Sequence, residues 1–136
     1  MSARFRLRPR PLSPHLLIYR LTITMAMSIV HRLTGVVLYL GSLFFAWWIV
    51  AVSAGQKSYA VFDLFAASLP GKTIIFGFVW ALIHHMLGGI RHLIWDGGLW
   101  INLPEARGIA WVTLIGSVTL ALTAWIAGAF IRTLIQ

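Results

Sequence analysis

Residues 84–96, HHMLGGIRHLIWD, place His84, His85, Arg91 and His92 in an otherwise apolar stretch. An ionisable side chain inside a membrane span costs free energy to bury, so it is a functional candidate by default. At 1.5 Å per residue, His85 lies about 20 Å along a helix from Lys72 and about 16 Å from Asp96, near the middle of a span. Residues four apart share a helix face, so His85 stands over Gly89, with His92 one turn further on. The missing side chain at Gly89 leaves room for a flat macrocycle or a close helix. His84 points about 100° away, above Gly88 and Arg91. Imidazole is the common axial ligand of a b-type haem. It also serves simply to hydrogen-bond a neighbouring helix. Spacing leaves both readings open, and it does not choose between His84 and His85.

A second cluster lies upstream. Ser28, His31 and Arg32 stand at i, i+3 and i+4, on one side of a helix. A hydroxyl, an imidazole and a permanently charged guanidinium together could hold an anion, such as a haem propionate, or a quinone carbonyl oxygen. The plainer reading is a snorkelling Arg32 at lipid phosphate, with Ser28 bonded back to its own helix. His15, in SPHLLIY, reads as a surface or subunit-contact residue.

These side chains need helices to hold them, and the composition says in what solvent. Of 136 residues, 60% are hydrophobic and 10% charged, more apolar surface than a soluble domain of this size can hide. Three runs are long enough to cross a bilayer: Leu33–Gly55, Thr73–Ile90 and Gly108–Ile131. Helices are the form they must take, since lipid offers no partner to unpaired backbone groups. With their flanks, the expected helices are about 24–55, 72–97 and 107–132, after an N-terminal segment 1–21, all in one domain. TMAMSIVHR extends the first helix backwards and brings Arg32 into its early turns. Pro70, Gly71 and Pro104 read as breakers ahead of the second and third helices. Residues 56–71 read as a short outer connection with an amphipathic turn.

Charge sets the orientation. Arg4, Arg6, Arg8, Arg10 and Arg20 crowd the N-terminal tail, while the first connection holds only Lys57 and Lys72. The positive-inside rule then places the N-terminus and the 97–107 connection in the cytoplasm and the C-terminus outside. Trp47, Trp48, Trp95 and Trp100 fall at the expected interfaces, as aromatic anchors do. The net charge of +8 sits at segment ends, between apolar runs of membrane length, which argues against nucleic acid as a partner. There is no cysteine, so this chain ligates no iron–sulfur cluster and attaches no haem covalently. Asp63, Asp96 and Glu105 are its only acids, and no pair of them suits hydrolysis. The Arg-rich start has no long apolar region ahead of the first span, so no cleavable signal is expected. A bacterial inner-membrane protein is favoured over a mitochondrial one.

RPLSPHLLIY, then MAMSIVHRLTG, then HMLGGIRHLIWD resemble the cytochrome b membrane-anchor subunits of succinate dehydrogenase, respiratory complex II. The motifs span about residues 9–98. The pattern S-I-x-H-R-x-T-G, followed some fifty residues on by H-x-x-x-G-I-R-H-L-x-W-D, is specific, and His84 stands outside it.

The resemblance implies an all-α membrane protein with three transmembrane helices, half of a haem-binding bundle shared with a partner anchor. It implies that His85 is an axial ligand of haem b, with the second ligand on a companion small anchor subunit. His31 would lie beside the haem propionates, with Arg32 as its neighbour there, and Ser28 and Arg32 would line a ubiquinone pocket. Succinate would be oxidised on a separate flavoprotein subunit, and electrons would reach quinone through an iron–sulfur subunit. Alternatives are a fumarate reductase-type anchor and a haem-free structural scaffold. Arg91 and His92 read as interface anchors or subunit contacts.

Overall fold

The computed structural model describes residues 11–16 and 18–135. Arg4, Arg6, Arg8 and Arg10, on which the expected orientation leans, lie outside that range. A 3-10 turn at Pro14–Leu16 precedes four helices: α1 Ile23–Ser53, α2 Gln56–Ala67, α3 Leu69–Asp96 and α4 Leu103–Ile135. Helices α1, α3 and α4 are long and apolar enough to cross a membrane, as expected. Each leaves most of its surface uncovered, including Leu33, Leu40 and Leu43 on α1 and Val112 and Ile115 on α4. In water that exposure would be ruinous; in lipid or against another membrane chain it is neutral.

The helix starts follow capping chemistry. Thr22 caps α1 by accepting from the Met25 amide. Ser68 caps α3 by accepting from the Gly71 amide at 3.2 Å. Pro70 sits in the first turn of α3, and Pro104 sits in the first turn of α4. Proline is tolerated there because those amides have no helical partner anyway. Both helices therefore begin before the prolines that were expected to precede them.

The outer connection is a full helix, not a turn. α2 buries Phe62 and groups it with Phe65 against Phe44 and Trp47 of α1. The corner from α2 to α3 is tight: a Cβ at Gly71 would strike the Phe65 carbonyl.

Helix α3 is central. One face packs on α4 and another on α1. α3 buries Ala81, His84, Gly88 and Arg91, with His84 bonded to Ser117 of α4, while α4 buries Ala110, Thr113, Ser117 and Ala121. Small residues on both sides let the backbones approach, which is how membrane helices associate without a hydrophobic drive. Towards α1 the contact is made by Phe78 lying on Gly41 and by the histidines.

Candidate functional site

Helices α1 and α3 run antiparallel, so the first third of α1 meets the second half of α3. At that end His31 of α1 and His85 of α3 stack with ring centroids 4.0 Å apart and planes 14° from parallel. His92 meets the His31 ring edge-on at 5.3 Å. The stack exists because α3 has no side chain at Gly88: a Cβ there would collide with the His31 ring. Gly35 gives the matching clearance on α1, where a Cβ would lie 3.2 Å from His85 Cε1. Gly88→Leu is therefore expected to cost about 1–3 kcal/mol by overpacking. It should lower the thermal midpoint of the assembled complex; an unchanged midpoint would mean that the His31 ring is not held in this notch.

His85 has a defined hydrogen-bond role. Its Nδ1 lies 3.1 Å from the His31 backbone carbonyl, and a carbonyl only accepts. Nδ1 must therefore carry the proton. The Thr34 hydroxyl, 3.3 Å from the same nitrogen, fits as a second acceptor, because its own hydrogen goes to the His31 carbonyl at 2.8 Å. With Nδ1 protonated, Nε2 keeps its lone pair in the ring plane. The His31 stack covers a face of the ring and leaves that in-plane direction unblocked. Holding one nitrogen through a backbone carbonyl while the other is free is the arrangement found in metal-ligating histidines. His85 is half-buried, and open space lies beside Gly89.

His84 differs sharply. It is 0% exposed, turned into the α3–α4 seam, with Nδ1 2.9 Å from Ser117 Oγ. Ser117 donates to the Leu114 carbonyl, so its oxygen accepts from His84. The Nε2 of His84 is enclosed by its own chain and has no partner among the described residues. Nothing from outside the chain reaches it in this packing. The two adjacent histidines thus face different neighbouring helices, His85 towards α1 and His84 towards α4.

Ser28 and Arg32 are both exposed on the same side of α1, one turn apart, flanking the half-buried His31. The structure brings His31 to His85 and leaves the other two free to meet something beyond this chain. Arg91 corrects the expectation of an interface anchor. It is 2% exposed, with Nε and Nη1 buried and unpartnered among the described residues, and its guanidinium sits 5.0 Å over the Trp95 ring. Among the described residues no three His, Cys, Asp or Glu side chains converge to hold a bare metal ion. The histidines meet face to face or edge to face, so their lone pairs do not point at one centre.

Thr34 and Gly35 close the S-I-x-H-R-x-T-G pattern, and their part in the site, a hydroxyl beside His85 and clearance for its ring, emerges only from the fold. Their signal in the sequence is a hydroxyl three residues after His31, then a glycine, within an apolar run.

Residues 6–124 match the family described as succinate dehydrogenase/fumarate reductase transmembrane subunit. The chain belongs to that family. It is 39% identical over 112 residues to a succinate dehydrogenase cytochrome b556 subunit of Paracoccus denitrificans, covering 82% of this chain and 86% of that one. A cytochrome b556 subunit of Rickettsia felis is 34% identical over 117 residues, covering 86% and 91%. The mitochondrial cytochrome b560 subunit of Sus scrofa is 40% identical over 113 residues, covering 80% and 66%. The resemblance carried by the S-I-x-H-R and G-I-R-H motifs is borne out.

Proposed function

We propose that this chain is the cytochrome b membrane anchor of a succinate:quinone oxidoreductase, holding haem b through His85 and contributing Ser28 and Arg32 to a ubiquinone-reduction site. The observation that carries the haem assignment is the bond from His85 Nδ1 to the His31 carbonyl, which leaves Nε2 as a free, approachable ligand. Gly89 supports it with clear space one turn away. When bound, the haem supplies a one-electron carrier within the membrane. This chain's part is to hold the imidazole tautomer and orientation, and to exclude water with its apolar helices. The other axial ligand would come from a second small anchor subunit. A haem shared between two chains suits an α1–α3 face whose apolar residues are left uncovered.

Quinone reduction needs donors where negative charge grows on oxygen. Arg32 offers several N–H donors, and Ser28 offers one rotatable hydroxyl. Their exposure near the start of α1 suits contact with a peripheral iron–sulfur subunit, with the flavoprotein subunit that oxidises succinate beyond it. His31 is the bridge between the two regions, stacked on His85 and adjacent in sequence to Arg32.

Succinate itself is the test. Complex purified through a tag on this chain should show a b-type band that grows when succinate is added to the oxidised form. A complex without that band, under either succinate or dithionite, would leave a scaffold role only.

The orientation follows from the same reading: N-terminus cytoplasmic, C-terminus outside, in a bacterial inner membrane. Reporter fusions at Gln136 and within 97–107 should report opposite sides, with Gln136 outside. A cytoplasmic Gln136 would reverse the placement of Ser28 and Arg32 and remove their access to a cytoplasmic iron–sulfur subunit.

A further inference from the structure

At the end of the bundle away from the histidines lies a feature that the proposed electron path does not use. Lys72 stands early in α3 and Arg132 in the last turn of α4, and the antiparallel helices bring both to one membrane edge. They line one cavity of about 460 Å³, with Ile75, Trp125, Gly128 and Thr133 among its walls. A second cavity of about 440 Å³ adjoins it across Lys72 and Trp125, walled by Phe76 and Leu122. The Trp125 ring is braced edge-on against Phe76 at 5.4 Å, so it forms a fixed ridge beside both spaces. Neither cavity has an acidic side chain in its lining. Thr133 spends its hydroxyl on the Ala129 carbonyl, which leaves the two cations as the charged groups of the site.

We propose that these joined grooves hold one anionic phospholipid, with its phosphate between Lys72 and Arg132 and an acyl chain on each side of Trp125. Charge complementarity selects the head: two cations in one cavity wall, no acidic side chain in that wall, near the ends of two helices long enough to cross a membrane. The walls select a lipid over a soluble anion, because small and aromatic side chains leave apolar trenches running from the cations into the bilayer. Each trench is of ligand size. The bland alternative is that each cation snorkels independently to bulk headgroups, with no preference for anionic lipid.

The two halves of the site can be tested separately. Neutralising both cations, in Lys72→Gln with Arg132→Gln, removes the charge and keeps the trenches. Gly128→Leu does the reverse, because a Cβ at Gly128 meets nothing within 4 Å in this chain and would project into open groove. Intact complex, delipidated in detergent, is titrated with phosphatidylglycerol or phosphatidylcholine and read by native mass spectrometry. The native complex should bind phosphatidylglycerol in preference. The double neutral variant should lose about thirtyfold in phosphatidylglycerol affinity, as expected for two near-surface charges. Gly128→Leu should weaken both lipids. Lys72→Arg should retain the preference. Electron transfer from succinate to quinone should be unchanged throughout, which also shows that the variants assemble. Equal binding of the two lipids by the native complex, or native phosphatidylglycerol binding by the double variant, overturns the proposal. So does a photo-crosslinker at position 128 that labels a companion subunit instead of lipid.

Discussion

In His85→Ala the purified complex is expected to lose most of its b-type haem, while His84→Ala keeps it. The two residues are adjacent in sequence and opposite in circumstance. His85 loses a free Nε2 that approaches the surface of the chain. Removing an outer-shell partner of a metal-binding histidine costs about 10–100-fold in affinity, and removing the ligand itself should cost more. No neighbour replaces it: the imidazole of His84 is locked between α3 and α4 by Ser117, and reaching the far side of the helix would break that bond. His84→Ala removes one buried hydrogen bond, worth about 1 kcal/mol, and opens a small cavity in the seam. It should lower stability modestly without changing the absorption spectrum. Haem per complex by pyridine haemochrome reads both outcomes. A haem-free His84→Ala with a replete His85→Ala would exchange their roles.

Electron transfer from succinate to quinone should fall by about 10²–10³ in Arg32→Leu or Ser28→Ala, the usual cost of losing a donor aimed at developing charge. Quinone oxygens gain charge only as electrons arrive, so these donors matter more to turnover than to binding. Succinate oxidation by a small dye that accepts electrons before the quinone site should be spared. Haem must be measured alongside, since Arg32 adjoins His31 and His31 stacks on His85. A parallel fall in quinone and dye activities, in an assembled and haem-replete complex, would remove the quinone role. Unchanged quinone reduction in both variants would leave Arg32 as a snorkelling anchor.

Much of the architecture was legible in the sequence because a bilayer leaves few choices. Three uncharged apolar runs mean three helices, and they are present. The boundaries were less legible where proline misleads: Pro70 and Pro104 read as breakers but lie in first turns, where their missing N–H costs nothing. α2 escaped because its pattern is short and its stability comes from tertiary aromatic packing with Phe44 and Trp47. Within the site, residue types were visible and partners were not. Helical spacing placed His85 and His84 on different faces, yet only the positions of α1 and α4 show which face meets a carbonyl and which meets Ser117. The pair of glycines was also split by the fold. Gly88 houses the His31 ring, while Gly89, the one singled out, borders open space. Arg91 was expected as an interface anchor or subunit contact because it lies near the expected cytoplasmic end of its helix. Its burial becomes visible only in the folded chain, where its guanidinium lies over Trp95.

Chemical rescue tests the central claim, that His85 Nε2 is a haem ligand, most directly. His85→Gly removes the imidazole and leaves a cavity of its shape beside the His31 carbonyl. Complex assembled from this variant, reconstituted with haem and titrated with free imidazole, should regain the low-spin b-type reduced-minus-oxidised spectrum. An imidazole-independent native spectrum in His85→Gly would contradict the account, because some other group would then be ligating the iron.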